Sequence, residues 1–156
     1  MMKKSAFLLL ALALTYFCNA QTKDNALEKN KTFTGAAAAP DKLYHAIYQM
    51  DNSDPKIIEK TIRNINNALS DPRLEGKIKI ELIAFSGGTD AYLKGSKYEN
   101  GLKALVEKGV IVAQCNNSLK ERNISRDSLY DFIGIVPSGN GELIIRQAEG
   151  WSVIKP

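Results

Sequence analysis

The sequence is poor in the residues that most often carry catalysis or bind metals. Its 156 residues include one histidine, two cysteines and one tryptophan. No group of His, Cys and carboxylate residues has metal-ligand spacing, so neither a metal site nor a cofactor is predicted. A P-loop lysine pattern and a G-x-G-x-x-G fingerprint are both missing, which argues against a nucleotide ligand. Two cysteines are also too few for a disulfide-rich scaffold.

The sequence has no apolar run of the length that spans a bilayer, but its first twenty residues have the pattern of an export signal. Two lysines near the start precede an apolar run to about Phe17, and the small residue Ala20 follows. This pattern predicts a signal peptide over residues 1–20 and an exported protein, periplasmic or secreted, without a membrane span. A lipid anchor on Cys18 is the less favoured alternative, because two bulky aromatic residues directly precede it.

The charge of the chain gives little evidence for a partner. The formal net charge is +4, from 21 basic and 17 acidic residues. The signal peptide contains two lysines and no acid, so its removal lowers the charge to +2. Nucleic acid is therefore not predicted as a partner. The same cleavage removes Cys18 and leaves Cys115 alone, which excludes an internal disulfide.

The rest of the chain divides into a linker and one domain. Residues 21–41 are polar and then small, which predicts a flexible linker before a domain of residues 42–156. Apolar runs typical of strands alternate with helical patterns in that domain. The predicted strands are 43–50, 78–85, 110–113, 132–136 and 151–154, and the predicted helices are 55–69, 98–108, 116–122 and 143–148. This alternation predicts an α/β fold, a mainly parallel sheet of five strands with helices on both faces.

Four predicted loops carry the functional candidates, because ligands of such sheets bind at the carboxyl ends of the strands. The loops begin at Asp51, Ser86, Cys115 and Pro137. Glycines in two of them can bring backbone N–H groups close to an anion, although ordinary strand-to-helix turns are the favoured explanation. The candidate binding residues are Gly87, Gly88, Asn116, Asn117, Ser138 and Gly139.

Cys115 is the candidate catalytic residue. It ends a predicted strand directly before a predicted helix, where free N–H groups and the helix dipole favour a thiolate. Lys120 and Arg122 would add positive potential if they face the thiol. The competing interpretation is a buried, inert cysteine that packs as a small apolar residue.

The sequence offers Cys115 no partner for the common cysteine mechanisms. A second cysteine for a CxxC redox cycle is missing from the mature chain. His45 lies five residues before the end of its strand, about 16 Å from the carboxyl edge at ~3.3 Å per residue. A Cys-His dyad is therefore disfavoured. His45 is predicted to be a packed or edge-exposed strand residue, and Trp151 a packing residue.

The stretch GVIVAQCNNSL from Gly109 to Leu119 and the downstream VPSG at 136–139 resemble the DsrE/DsrF-like family. The closing segment 147–156 adds to the resemblance, which covers about residues 43–156. The resemblance implies a three-layer α/β/α domain with a parallel five-stranded sheet, and homo-oligomers that are trimers or hexamers. It also implies that Cys115 accepts sulfur as a persulfide and passes it to a partner protein.

Two functions remain open from the sequence. The first is an exported sulfur carrier with a sulfurtransferase-like role on Cys115, working between a donor and an acceptor protein. The second is a non-catalytic binding or assembly module of the same fold, in which Cys115 is buried and inert. A peroxide-sensing thiol is a third possibility. The predicted export argues against the tRNA thiolation of cytoplasmic relatives.

Overall fold

The structure, a computed structural model, describes residues 25–156. The predicted signal peptide lies outside the described residues. The chain divides into two units, residues 1–37 and 38–156. In the first unit, residues 25–31 form helix α1, although the linker predicted over residues 21–41 included no helix. Within the described residues, no helix has both the length and the hydrophobicity needed to cross a membrane.

The second unit is built on five parallel strands in the order β4-β3-β2-β1-β5. The strands are Tyr44–Met50 (β1), Ile78–Ala84 (β2), Ile111–Cys115 (β3), Gly134–Val136 (β4) and Ser152–Ile154 (β5). The predicted parallel α/β fold is therefore confirmed. Strand β4 is shorter than predicted, because Phe132 lies before it and stacks on the Tyr130 ring at 5.5 Å between centroids.

Four α-helices and two short 3₁₀ helices connect the strands. The α-helices are Pro55–Leu69 (α2), Glu99–Glu107 (α3), Asn116–Glu121 (α4) and Gly139–Ala148 (α5), and the 3₁₀ helices are Ser86–Tyr92 (η1) and Arg126–Ser128 (η2). Helix α5 begins four residues before the predicted start at residue 143. The Ser138 hydroxyl accepts a hydrogen bond from the Gly141 N–H at 3.2 Å, and this cap extends the helix toward the sheet edge.

Local signals in the sequence account for the start of α2. The Asp54 carboxylate accepts a hydrogen bond from the Lys56 N–H at 2.8 Å, and Pro55 occupies the first helical position. Ile58 and Ile65 lie on the buried stripe that the spacing predicted. The helix therefore begins where the sequence indicated and buries the expected face.

The core lies on both faces of the sheet. On the larger side, α2, α3 and η1 pack against β1, β2 and β3, with Leu82, Leu102 and Tyr92 fully buried. On the other side, Ile47, Ile83 and Ala113 form a smaller cluster against which residues such as Leu143 of α5 pack. Because β4 and β5 are the opposite edges of the sheet, the connection through α5 crosses this second face. The three-layer arrangement follows from these two packings.

A buried ion pair fastens α5 to the sheet. Glu81 of β2 is 1% exposed, and its carboxylate accepts a hydrogen bond from Arg146 Nε at 2.8 Å. Arg146 also pairs with Glu142 and Glu149 and lies over the Trp151 ring, 4.3 Å from its centroid. Burial raises the pKa of Glu81, and the attraction of Arg146 offsets part of that effect. Arg146 therefore compensates a carboxylate that would otherwise be costly to bury.

Candidate functional site

Cys115 lies at the carboxyl edge of the sheet, as the sequence predicted. It is the last residue of β3, and its backbone remains extended, with φ −69° and ψ 119°, so that it occupies the N-cap position of α4. It pairs with Val136 of β4 and is 5% exposed. It is the free cysteine of the described residues.

The surroundings of Cys115 favour its ionised form. Burial opposes ionisation and would by itself raise the pKa of the thiol. Hydrogen bonds from the backbone N–H groups of Ser118, Gly139 and Asn117 and from the Ser118 hydroxyl outweigh burial, so the pKa lies below the ordinary value. Within α4, these donors do not reach the geometry of an ordinary side-chain cap hydrogen bond. Sulfur is a weak acceptor as a neutral thiol and a stronger one as a thiolate. The donors therefore act mainly on the thiolate.

Two helices supply these donors. Asn117 and Ser118 belong to the first turn of α4, and Gly139 is the first residue of α5. Parallel pairing of β3 with β4 brings the start of α5 beside Cys115. A Cβ at Gly139 would lie 2.9 Å from Cδ1 of Phe85, so a side chain there would push α5 away from Phe85, the residue that follows β2. Glycine at this position lets the N–H donor reach the sulfur.

Most of the predicted binding residues on these two loops come together at the thiol. The backbone N–H groups of Asn117 and Gly139 lower the pKa of the thiol, Asn116 begins α4, and Ser138 caps α5. Ser118 is not among the residues predicted from the sequence, although its position three residues after Cys115 is a signal that could have found it. Residue N3 of a helix commonly interacts with the N-cap residue, as in a capping box.

The cationic side chains considered earlier are not among the groups that lower the pKa of Cys115. Arg122 instead donates hydrogen bonds to the Ser86 carbonyl oxygen at 2.8 Å and to the Asp90 carboxylate at 2.6 Å. The Lys120 residue is exposed. The thiolate is therefore stabilised by neutral N–H and O–H donors.

Gly87 and Gly88 lie in the first turn of η1 and pack against the loop that follows β1. A Cβ at Gly88 would lie 1.9 Å from the Met50 carbonyl oxygen, and one at Gly87 would lie 2.9 Å from the Ser53 nitrogen. This close approach of two backbones explains both glycines without a ligand. Their assignment as binding residues stays a prediction.

The remaining candidates are occupied by packing and ion pairs. The His45 ring lies 4.9 Å from the Trp151 ring, between centroids, which agrees with a packing role. Asp51 pairs with Lys155 Nζ at 2.7 Å. Among residues 25–156, no three or more His, Cys, Asp or Glu side chains are grouped as a metal site would need.

Fold and site together define a single parallel α/β domain with a low-pKa cysteine at the carboxyl edge of its sheet. The model of the DsrE/DsrF-like family matches residues 47–156, more than half of the chain. The chain belongs to this family. No curated protein matches it.

Two solved structures have the same fold. A protein of unknown function, MTH1491 from Methanobacterium thermoautotrophicum, is 31% identical with a TM-score of 0.69, over 72% of this chain and 99% of that chain. The crystal structure of the ychN protein from E. coli is 19% identical with a TM-score of 0.58, over 74% of this chain and 99% of that chain. The second likeness supports the fold alone.

Proposed function

We propose that this protein is an exported sulfur carrier that holds sulfane sulfur as a persulfide on Cys115. The observation that supports the proposal best is the set of neutral donors around the sulfur, which lowers the pKa of the thiol despite its burial. The thiolate is the nucleophilic form of cysteine, so this environment prepares Cys115 to attack a sulfur donor without a general base.

The transfer step needs neither an oxidant nor a reductant. The Cys115 thiolate attacks the outer sulfur of a persulfide, R–S–SH, and forms a new S–S bond. The S–S bond of the donor breaks, and its electron pair leaves with R–S⁻. With thiosulfate the leaving group is sulfite. The reverse attack, by the thiolate of an acceptor protein, returns Cys115 to its starting form.

The donors around Cys115 would also stabilise the persulfide that forms on it. A persulfide anion carries its charge on the outer sulfur, and the N–H groups of Asn117, Ser118 and Gly139 are donors that an anion can use. Residues 25–156 provide no second thiol that would displace this sulfur as an internal disulfide. The sulfur would therefore stay on Cys115 until an acceptor arrives.

Intact mass spectrometry tests the proposal. We expect incubation with polysulfide or thiosulfate to add the mass of one sulfur atom, and dithiothreitol to remove it. The Cys115→Ser variant should remain unlabelled. If the chain retains its first residues, a Cys18→Ser variant separates the two thiols. Equal labelling of the wild type and Cys115→Ser, or no labelling at all, would reject a carrier role for Cys115.

The second candidate is the non-catalytic module with an inert thiol, and the observation in its favour is burial. Cys115 is only 5% exposed, which restricts access by a protein donor. This alternative predicts slow alkylation near neutral pH and no sulfur adduct. Fast alkylation together with an adduct would exclude it.

We also propose that the protein forms homo-oligomers through the side of the domain that carries α5. Four apolar residues there or on the neighbouring strands are exposed: Ile111, Ile144, Ile145 and Val153. Exposed apolar side chains that form a continuous patch are typical of an interaction surface, and we infer that these four contribute to one. Light scattering after size exclusion should give the mass of a trimer or hexamer, and an Ile144→Ser/Ile145→Ser variant should be smaller. A monomeric wild type would contradict this proposal.

A further inference from the structure

Ser118 connects the Cys115 thiol to a second segment of the chain. The residue is 4% exposed and lies three positions after Cys115 in α4. Its Oγ accepts a hydrogen bond from the backbone N–H of Ser86 at 2.9 Å. Its hydroxyl is also one of the groups that lower the pKa of the Cys115 thiol. Ser118 therefore lies between the thiol and the first residue of η1.

The contact with Ser86 decides where the Ser118 hydrogen points. A hydroxyl has one hydrogen and two lone pairs, and a backbone N–H can only donate. The Ser86 N–H donates to one lone pair of Ser118 Oγ, so the hydroxyl hydrogen of Ser118 cannot point toward Ser86. The hydrogen is then free for the sulfur, which becomes a strong acceptor when it is ionised.

The Ser86 backbone is held in an uncommon conformation that makes this contact. Its φ is +48°, a left-handed value shared by only one other non-glycine residue of the described part, Asn123. Such a conformation persists where the surroundings determine it. Arg122, which follows α4, donates to the Ser86 carbonyl oxygen at 2.8 Å and to Asp90 of the same 3₁₀ helix at 2.6 Å. The planar guanidinium thus fixes the Ser86 segment through two groups at once.

We propose that Ser118 is a positioning residue for Cys115, and that Arg122, through the backbone of Ser86, keeps the Ser118 hydroxyl directed at the sulfur. The relay runs from the end of α4 to η1 and back to the start of α4. It rests on the same thiol as the proposed sulfur carrier, but it concerns ionisation and does not require that sulfur is transferred.

The rate of iodoacetamide alkylation of Cys115, measured from pH 5 to pH 10, tests the relay. Removing one hydrogen bond to a charged group should slow alkylation of Ser118→Ala at pH 7 by about tenfold and move the midpoint of the pH profile upward. The plateau rate at high pH, where all the thiol is ionised, should remain within about twofold. The Ser118→Thr variant keeps a hydroxyl and should restore most of the rate.

Two further variants separate the relay from general effects. Arg122→Lys cannot make both contacts to η1 and should move the midpoint in the same direction by a smaller amount. Ser125→Ala is the matched control, because the Ser125 hydroxyl caps η2 by accepting from the Asp127 N–H and is not among the donors to the thiol. It should leave the profile unchanged. If Ser118→Ala unfolds, Arg122→Lys carries the test.

The outcomes distinguish this inference from the carrier proposal. An unchanged midpoint in folded Ser118→Ala, or in Arg122→Lys when the alanine variant is unfolded, overturns the relay. A change only in the plateau rate also overturns it, because that result means that Ser118 controls access. A protein that takes up no sulfur but has a Ser118-dependent midpoint refutes the carrier and supports the relay.

Discussion

The substitution Gly88→Ala should strongly destabilise the domain, because two backbone segments meet at this glycine. A Cβ at Gly88 would lie 1.9 Å from the carbonyl oxygen of Met50 and 2.5 Å from its carbonyl carbon, whereas ordinary contact begins at 3.4 Å. The end of β1 and the start of η1 would therefore have to separate by roughly 1.5 Å. Both groups in the clash are main chain, so rotation of a side chain cannot relieve it.

The cost has two parts. Overpacking of this kind typically costs about 1–3 kcal/mol. The separation also strains the hydrogen bond that the Phe85 N–H donates to the same Met50 oxygen at 3.1 Å, and an unsatisfied buried group costs about 1–3 kcal/mol. We therefore expect Gly88→Ala to lower the free energy of unfolding by about 3 kcal/mol, a large part of the ~5–15 kcal/mol of a typical domain.

Urea unfolding followed by far-UV circular dichroism measures this loss. Gly101→Ala is the matched control, since Gly101 lies inside α3 and its added Cβ would contact Ile62 at an ordinary 3.7 Å. That variant should gain about 0.5–1 kcal/mol from the better helix propensity of alanine. A loss below about 1 kcal/mol in Gly88→Ala would refute the packing argument. It would favour the ligand-binding role that the sequence suggested for this glycine.

Two predictions concern the ionisable groups that the fold buries. The pKa of Cys115 is lower in the folded chain than in the unfolded chain, so ionisation of the thiol stabilises the fold. This stabilisation is fully present above the ordinary pKa of cysteine. It is lost as the pH falls through the lowered pKa of the folded chain. The stability difference between the wild type and Cys115→Ser should therefore grow from pH 6 to pH 9 in urea titrations, and a constant difference would contradict the lowered pKa. Arg146→Met leaves the Glu81 carboxylate buried without its cation and should cost about 2 kcal/mol at neutral pH, because the guanidinium is partly exposed. Thermal unfolding should show a smaller loss near pH 4, where Glu81 is protonated, and an equal loss at both pH values would count against this explanation.

Much of the fold could be predicted because its signals are local. The continuous apolar run in β2 indicates a strand covered on both faces, and Asp54 followed by Pro55 marks the start of α2. The start of α5 was missed because two glycines in its first turn lower the helix propensity, while the cap from Ser138 depends on one hydrogen bond. The length of β4 was overestimated because Phe132 is apolar but packs on Tyr130 before the strand begins.

The site was predictable only in part, because its donors come from separate segments. The position of Cys115 followed from a strand that ends before a helix. The Gly139 N–H lies near Cys115 because β4 is next to β3 in the sheet. The order of the strands in the sheet could not be predicted from local sequence signals. The sequence suggested that Arg122 could place a positive charge near the thiol. In the structure Arg122 instead donates a hydrogen bond to the backbone of Ser86. This contact requires that η1 packs against α4, which the sequence does not indicate.

The same arrangement explains how the pKa of a cysteine thiol can be lowered without a histidine partner. An imidazolium that stabilises a thiolate loses its effect when the histidine itself titrates, so the ion pair exists between two pKa values. The N–H groups of Asn117, Ser118 and Gly139 and the Ser118 hydroxyl do not titrate in this range. Their stabilisation of the Cys115 thiolate is therefore present at every pH at which the domain is folded. Above its own lowered pKa the thiol stays ionised, and its alkylation rate should rise to a plateau as the pH increases, where a Cys-His pair would show a second titration.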